Sequence, residues 1–255
     1  MTRDKLFDVA YFDKWIDFVQ TEGINPRKNS IASLPRPDGR VGRATDLWVD
    51  SVQVVIMGFS RGDSISSIKQ GVMQMAELLA LKQKTLASEQ LEKDVRNMYE
   101  RLDLGTLYEY LTLLSFIVSL RMPASILHQT IELIGHKGED ALLDRIAYGF
   151  GDKTRSVAPH SRFPKIYDPL VEVIAAPAEQ RTGKLQRFVE SWYKKMKPIY
   201  WHDNHKGEEG AYFGYWCFEA ALVAMLWDID DSAFAEHPHD PVDLVRHYRI
   251  QAPQA

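Results

Sequence analysis

Between Ala211 and Trp227 the chain reads AYFGYWCFEAALVAMLW, apolar or aromatic at nearly every position. A surface helix keeps a polar face, so a run that is apolar on all sides predicts a central helix over 211–227 enclosed by other helices. It is too short, and too closely flanked by acids, to span a bilayer. Glu219 is the only carboxylate in it, and burial there demands hydrogen bonds, a counter-charge or a proton. The expectation is a structural acid held by a Tyr, Trp or Arg of a neighbouring helix. Cys217, the only cysteine, lies in the same run, which predicts a small buried hydrophobe and rules out an internal disulfide.

Charge is distributed unevenly. The formal net charge is −4, yet between His202 and Val245 ten acids stand against one base, Lys206, while the chain up to Trp201 carries a slight basic excess. A strongly acidic segment argues against nucleic-acid binding and for a basic partner. Asp228, Asp230 and Asp231 follow the apolar run directly, at a helix C-terminus where acids are unfavourable. Together with Glu208, Glu209, Glu236, Asp240 and Asp243 they are expected to form an acidic rim that binds a partner.

The rest of the chain reads as helix. Phe7, Tyr11, Trp15 and Phe18 fall at helical spacing, an aromatic stripe expected to face the core. Gly23 and Pro26 are expected to end that helix, and the segment to Val41, with Arg27, Lys28, Arg36 and Arg40, reads as a polar connector. Thr45 or Asp46 would cap the next helix. Arg61 and Asp63 flank Gly62, which suits a left-handed helix end with Asp63 or Ser64 capping the following helix, so this pair reads as a structural corner. LYEYLTLLSFIVSLRM is a second strongly apolar helix, expected to pack on the central one. Asp168-Pro169 and Asp240-Pro241 both read as helix starts. No period-2 run points to a strand. The expectation is an all-α protein of antiparallel helices in two adjoining modules, 1–148 and 149–255, divided by GFGDKTRSVAPHSRFP.

The run GAYFGYWCFEAALVAMLWDIDDS followed by HPHDPVDLVRHY resembles the C-terminal module of the PoNi family, immunity proteins that neutralise PoNe-type DNase toxins delivered by bacterial secretion systems. RDKLFDVAYFDKWIDFV and FSRGDSI resemble that family's N-terminal module. The resemblance implies a non-enzymatic protein of bacterial competition, type VI secretion included, whose partner is a cognate nuclease toxin with a basic active-site cleft. It implies no cofactor, no metal, no direct nucleic-acid contact and no membrane. Acids scattered through the first fifteen residues, without an apolar stretch, predict neither signal peptide nor anchor, hence a cytoplasmic protein. Nothing in the sequence sets an oligomeric state. The alternative is a helical metal-dependent phosphohydrolase of HD type that uses His202, Asp203, His239 and Asp240.

Overall fold

Proline lacks an amide hydrogen, but the first turn of a helix has no acceptor for one, so a proline starts a helix as readily as it ends one. In the computed structural model, which describes residues 2–207 and 212–251, Pro26 and Pro37 both act this way. Helix α1 (Val9–Phe18), capped by the Asp8 carboxylate on the Tyr11 amide, continues through a wide turn at Val19–Ile24 into α2 (Asn25–Ser30), which has Pro26 in its first turn. After a short turn at Ile31–Ser33, α3 (Pro37–Arg61) begins at Pro37, well before the Thr45 or Asp46 start that the sequence suggested. Most of the expected connector is therefore helical, and Ile24 and Ile31 pack with Leu47 and Leu78. Its basic residues are largely committed. Arg27 bonds Asp50 at 2.9 Å, Arg36 pairs with Asp38, and Arg40 holds both oxygens of Glu89 at 2.6 Å.

Gly62 ends α3 with a φ of +103°, and the Ser64 hydroxyl accepts the Ser67 amide to start α4 (Ile65–Ser88). Arg61 donates to both oxygens of Asp63, at 2.8 and 2.6 Å, and to Asp13 at 2.7 Å. These helices, with α5 (Lys93–Glu100), make one compact unit, Met1–Asp103 together with Asp203–Gly214.

The second unit comprises Leu104–His202 and Tyr215–Ala255. It contains α6 (Leu104–Ser119), α7 (Ala124–Ile134), α8 (Ala141–Gly149), α9 (Pro164–Ala175), α10 (Ala178–Lys195), α11 (Phe218–Leu226) and α12 (Val242–Ile250). In α6 every residue except Thr106 is buried, and it packs on α11, with the rings of Phe116 and Phe218 centred 5.1 Å apart. The stretch expected to divide two modules is tied into this unit by two buried carboxylates. Asp144 accepts from Arg155 at 2.6 Å and from the Ala158 amide at 3.0 Å; Asp140 caps α8 and also takes the Arg162 amide. A break at 148/149 would fall inside α8. α9 starts at Pro164, and Pro169 lies within it, so Asp168 does not cap: it accepts the Ser161 amide and pairs with His160. Among the described residues all regular structure is helical, with no strand.

The apolar run departs from expectation in one respect. Tyr212–Met225 is buried throughout, with Leu226 and Trp227 half-buried, but only Phe218–Leu226 is helix; Tyr212–Cys217 is irregular. Gly214, at φ +118°, adopts a conformation that no neighbouring aromatic residue could take without strain. The backbone acceptors a helix would satisfy internally are met by side chains instead. In the first unit Tyr11 Oη donates to the Tyr212 carbonyl and Ser60 Oγ to that of Phe213. In the second, Tyr108 Oη donates to the Trp216 carbonyl, His239 Nδ1 lies 2.9 Å from that of Tyr215, and the Cys217 amide donates to the His239 carbonyl.

Candidate functional site

Glu219 sits in the first turn of α11, at zero exposure. Oε1 accepts from Trp192 Nε1 at 2.6 Å and from Tyr167 Oη at 3.3 Å, while Oε2 has no partner. Burial pushes the carboxyl up to about 7, against the hydrogen bonds that favour its charged form. Burial likewise pushes the Cys217 thiol well up, with the Glu219 charge adding to it. Neither group reaches solvent, so neither can meet a substrate. Glu219 is thus held by a Trp of α10 and a Tyr of α9.

The histidines form an aromatic stack. His202 lies on Tyr193 with centroids 4.4 Å apart, and His239 lies on the same ring at 4.9 Å, with its Nδ1 committed to the Tyr215 carbonyl. Asp203, in the left-handed region at φ 65°, pairs with Lys206 at 2.8 Å. Among the described residues no group of three or more His, Cys, Asp or Glu side chains is placed to hold a metal ion. The HD-type alternative therefore has no donor set there.

The acids after α11 divide into two kinds. Asp228 is exposed and occupies the left-handed position just past the helix, at φ 48°, with the Ile229 amide closing back on the Ala224 carbonyl. Glycine is usual there; aspartate is one of the few residues that tolerates it. Asp230, also exposed, accepts the Ser232 amide and hydroxyl at 3.0 and 2.9 Å, and these bonds hold its carboxyl below the usual range. Glu236 is exposed, and Asp243 is half-buried in the first turn of α12, 3.7 Å from Arg246.

Asp231 and Asp240, by contrast, are only 3% and 4% exposed. Asp231 bonds Arg249 at 2.5 Å, and Arg249 also donates to the Ile229 carbonyl at 2.7 Å, so this acid pins the turn to α12. Asp240 does not cap α12; Pro241 precedes the helix with no side-chain bond, and one Asp240 oxygen has no partner. Burial, reinforced by the Asp231 charge, pushes its carboxyl up to about 8. Of the acids expected on the rim, these two are interior. Glu208 and Glu209 lie outside the described residues. The partner that makes Asp231 structural, Arg249, is eighteen residues distant and has no local sequence signal.

One surface went unrecognised in the sequence. Only Phe12 of α1 is buried. Phe7, Tyr11 and Trp15 are half-buried, the first two against Tyr212, and Phe18 is 51% exposed, so the stripe expected in the core is only partly buried and reaches the surface at Phe18.

This all-helical architecture is similar to the crystal structure titled "Protein PA2201 from Pseudomonas aeruginosa", with a TM-score of 0.68 and 16% identity over 98% of this chain and 91% of that one. At that identity the likeness is one of fold. Residues 138–244 match the family model described as PoNe immunity proteins (PoNi), C-terminal. The match covers α8 to the start of α12 and leaves the N-terminal segments outside it. No functionally curated protein matches the chain.

Proposed function

We propose that this protein is an immunity protein that binds a cognate DNase toxin, delivered by a bacterial secretion system, and blocks it without chemistry of its own. The observation that carries this reading is the match of residues 138–244 to the C-terminal model of the PoNe immunity proteins. A nuclease must present Lys and Arg to hold phosphates, and an acidic surface competes for the same groups and steers association. Asp228, Asp230, Glu236 and Asp243 are the accessible acids of the C-terminal stretch and are the proposed contacts there, with Glu208 and Glu209. Asp231 and Asp240 shape the turn that presents them. The protein would act in the cytoplasm, where the DNA to be protected lies, and needs no cofactor or metal.

The test is inhibition of a PoNe-type DNase toxin, sought first among the genes adjacent to this one. Purified protein added at equimolar ratio should abolish DNA cleavage, and co-expression should rescue cells that produce the nuclease. Unchanged cleavage at a tenfold excess would remove the reading.

A further inference from the structure

Single exposed apolar side chains are ordinary; a row of touching aromatic rings that runs from half-buried to exposed along one helix is not. From just before α1 to its end, the rings of Phe7 and Tyr11 are centred 4.1 Å apart, Tyr11 and Trp15 6.3 Å, and Trp15 and Phe18 5.5 Å; Phe7 and Tyr11 pack on Tyr212, at 5.0 and 6.4 Å, which leaves Trp15 and Phe18 as the open end. Phe12 anchors the helix to its unit, and Phe18 is half in solvent. Trp and Tyr are the side chains on which binding energy concentrates at protein interfaces, because they offer large rigid area together with a polar edge.

The charges around the row say what would cover it. Asp8, Asp13, Asp17 and Glu22 are exposed, against Lys5 and Lys14. Asp13 is taken by Arg61, whereas Asp17 and Glu22 have no ion pair among the described residues. The Lys14 ammonium lies 5.0 Å from the centre of the Trp15 ring, so that ring face is already open to a cation. A helix that lies on a lipid surface carries cations, not acids, on its polar face. A second copy docked face to face would set the same acids against each other.

We propose that the open end of the aromatic row on α1, Trp15 and Phe18, with Asp17 and Glu22 beside it, docks a basic protein surface, one Arg or Lys of which replaces Lys14 over Trp15. The proposal rests on the reading of this chain as a nuclease-binding immunity protein and assigns that partner a contact surface on the N-terminal unit.

The experiment measures affinity for the DNase toxin that the protein neutralises in the test above, inactivated at its catalytic centre, by interferometry. Trp15→Ala and Phe18→Ala are each compared with wild type, and with Tyr148→Ala as an exposed aromatic control in the other unit, after circular dichroism shows retained helix. Trp15→Ala should weaken binding roughly 30-fold or more, the factor expected of an interface hot spot, and Phe18→Ala by a smaller factor. Asp17→Asn should slow association, while Tyr148→Ala and Lys14→Ala leave affinity within a factor of two or, for Lys14→Ala, improve it. Trp15→Ala and Phe18→Ala proteins that both bind as wild type does would overturn the surface and leave the function standing. A wild-type dimer in sedimentation that Trp15→Ala converts to monomer, with nuclease affinity unchanged, would assign the row to a second copy instead. Failure of the wild-type protein to bind the nuclease would overturn both.

Discussion

α11 and the six residues before it are buried to the same degree and are equally apolar, yet they solve the backbone's hydrogen-bond problem in opposite ways. Phe218–Leu226 pairs its amides and carbonyls with itself, so its side chains are free to do nothing but fill volume. Tyr212–Cys217 cannot, and leans on Tyr11, Ser60, Tyr108 and His239 for partners. An irregular segment is rarely buried for this reason. One stretch depends on packing, the other on a few named donors, and substitutions can separate the two dependences.

The largest effect belongs to packing. Leu222→Ala in α11, at zero exposure, removes buried methyl groups and leaves a cavity, and should cost about 2–5 kcal/mol in urea denaturation. Tyr108→Phe removes only the hydroxyl that donates to the Trp216 carbonyl, and should cost about 1 kcal/mol. A Tyr108→Phe loss as large as that of Leu222→Ala would mean that the irregular segment, not the helix, is the more critical of the two.

A second contrast lies in pH. Glu219 and Asp240 both have folded-state values above their ordinary ones, about 7 and about 8. Between the ordinary carboxylate range and those values the folded protein binds more protons than the unfolded chain. The stability these two groups contribute is therefore fully present near pH 4 and is lost as pH rises to about 7 for Glu219 and about 8 for Asp240, by on the order of a few kcal/mol per group. Glu219→Gln should flatten the fall below about pH 7 and Asp240→Asn the fall that continues to about pH 8, both read from denaturation midpoints. A wild-type midpoint that rises steadily from pH 5 to 8 would contradict both placements.

Much of this was legible in the sequence because the relevant signals are local. Gly62 and Ser64 set a corner from adjacent residues; Trp216, Cys217, Glu219, Ala220 and Val223 are buried as the unbroken apolar run implied; and the α6 segment packs on α11 because both lack a polar face. Failures came where two explanations share one pattern. Pro26 and Pro37 read as part of a connector and Pro169 as a helix start, since prolines at a break, at a first turn and inside a helix look alike in the sequence. The aromatic spacing of α1 fits a core face or a binding face equally, and the acids Asp13 and Asp17 on its other flank were the only hint that the helix has little buried surface. Tyr212–Cys217 read as helix because hydrophobicity reports burial and not backbone form, although Gly214 in its midst was a warning. Asp231 and Asp240 read as rim acids because their burial depends on Arg249 and on packing that no local spacing encodes.

The last contrast divides the acids themselves, and its effect on stability is the smallest. Asp228, Asp230 and Glu236 are exposed, and converting all three to Asn, Asn and Gln removes charge without disturbing packing. Such a change leaves the denaturation midpoint nearly unmoved, since surface charges contribute little. Its effect should appear in association with the proposed nuclease partner, because steering acts over roughly the 8 Å screening length of physiological salt and scales with charge. The association rate should drop several-fold at low salt, and the gap to wild type should close as salt is raised. Asp231→Asn should do the reverse, loosening the Arg249 anchor and lowering stability while changing association little. If the triple variant associates as fast as wild type at low ionic strength, the C-terminal acids are not the steering surface, and the acids beside the α1 aromatic row remain the ones to test.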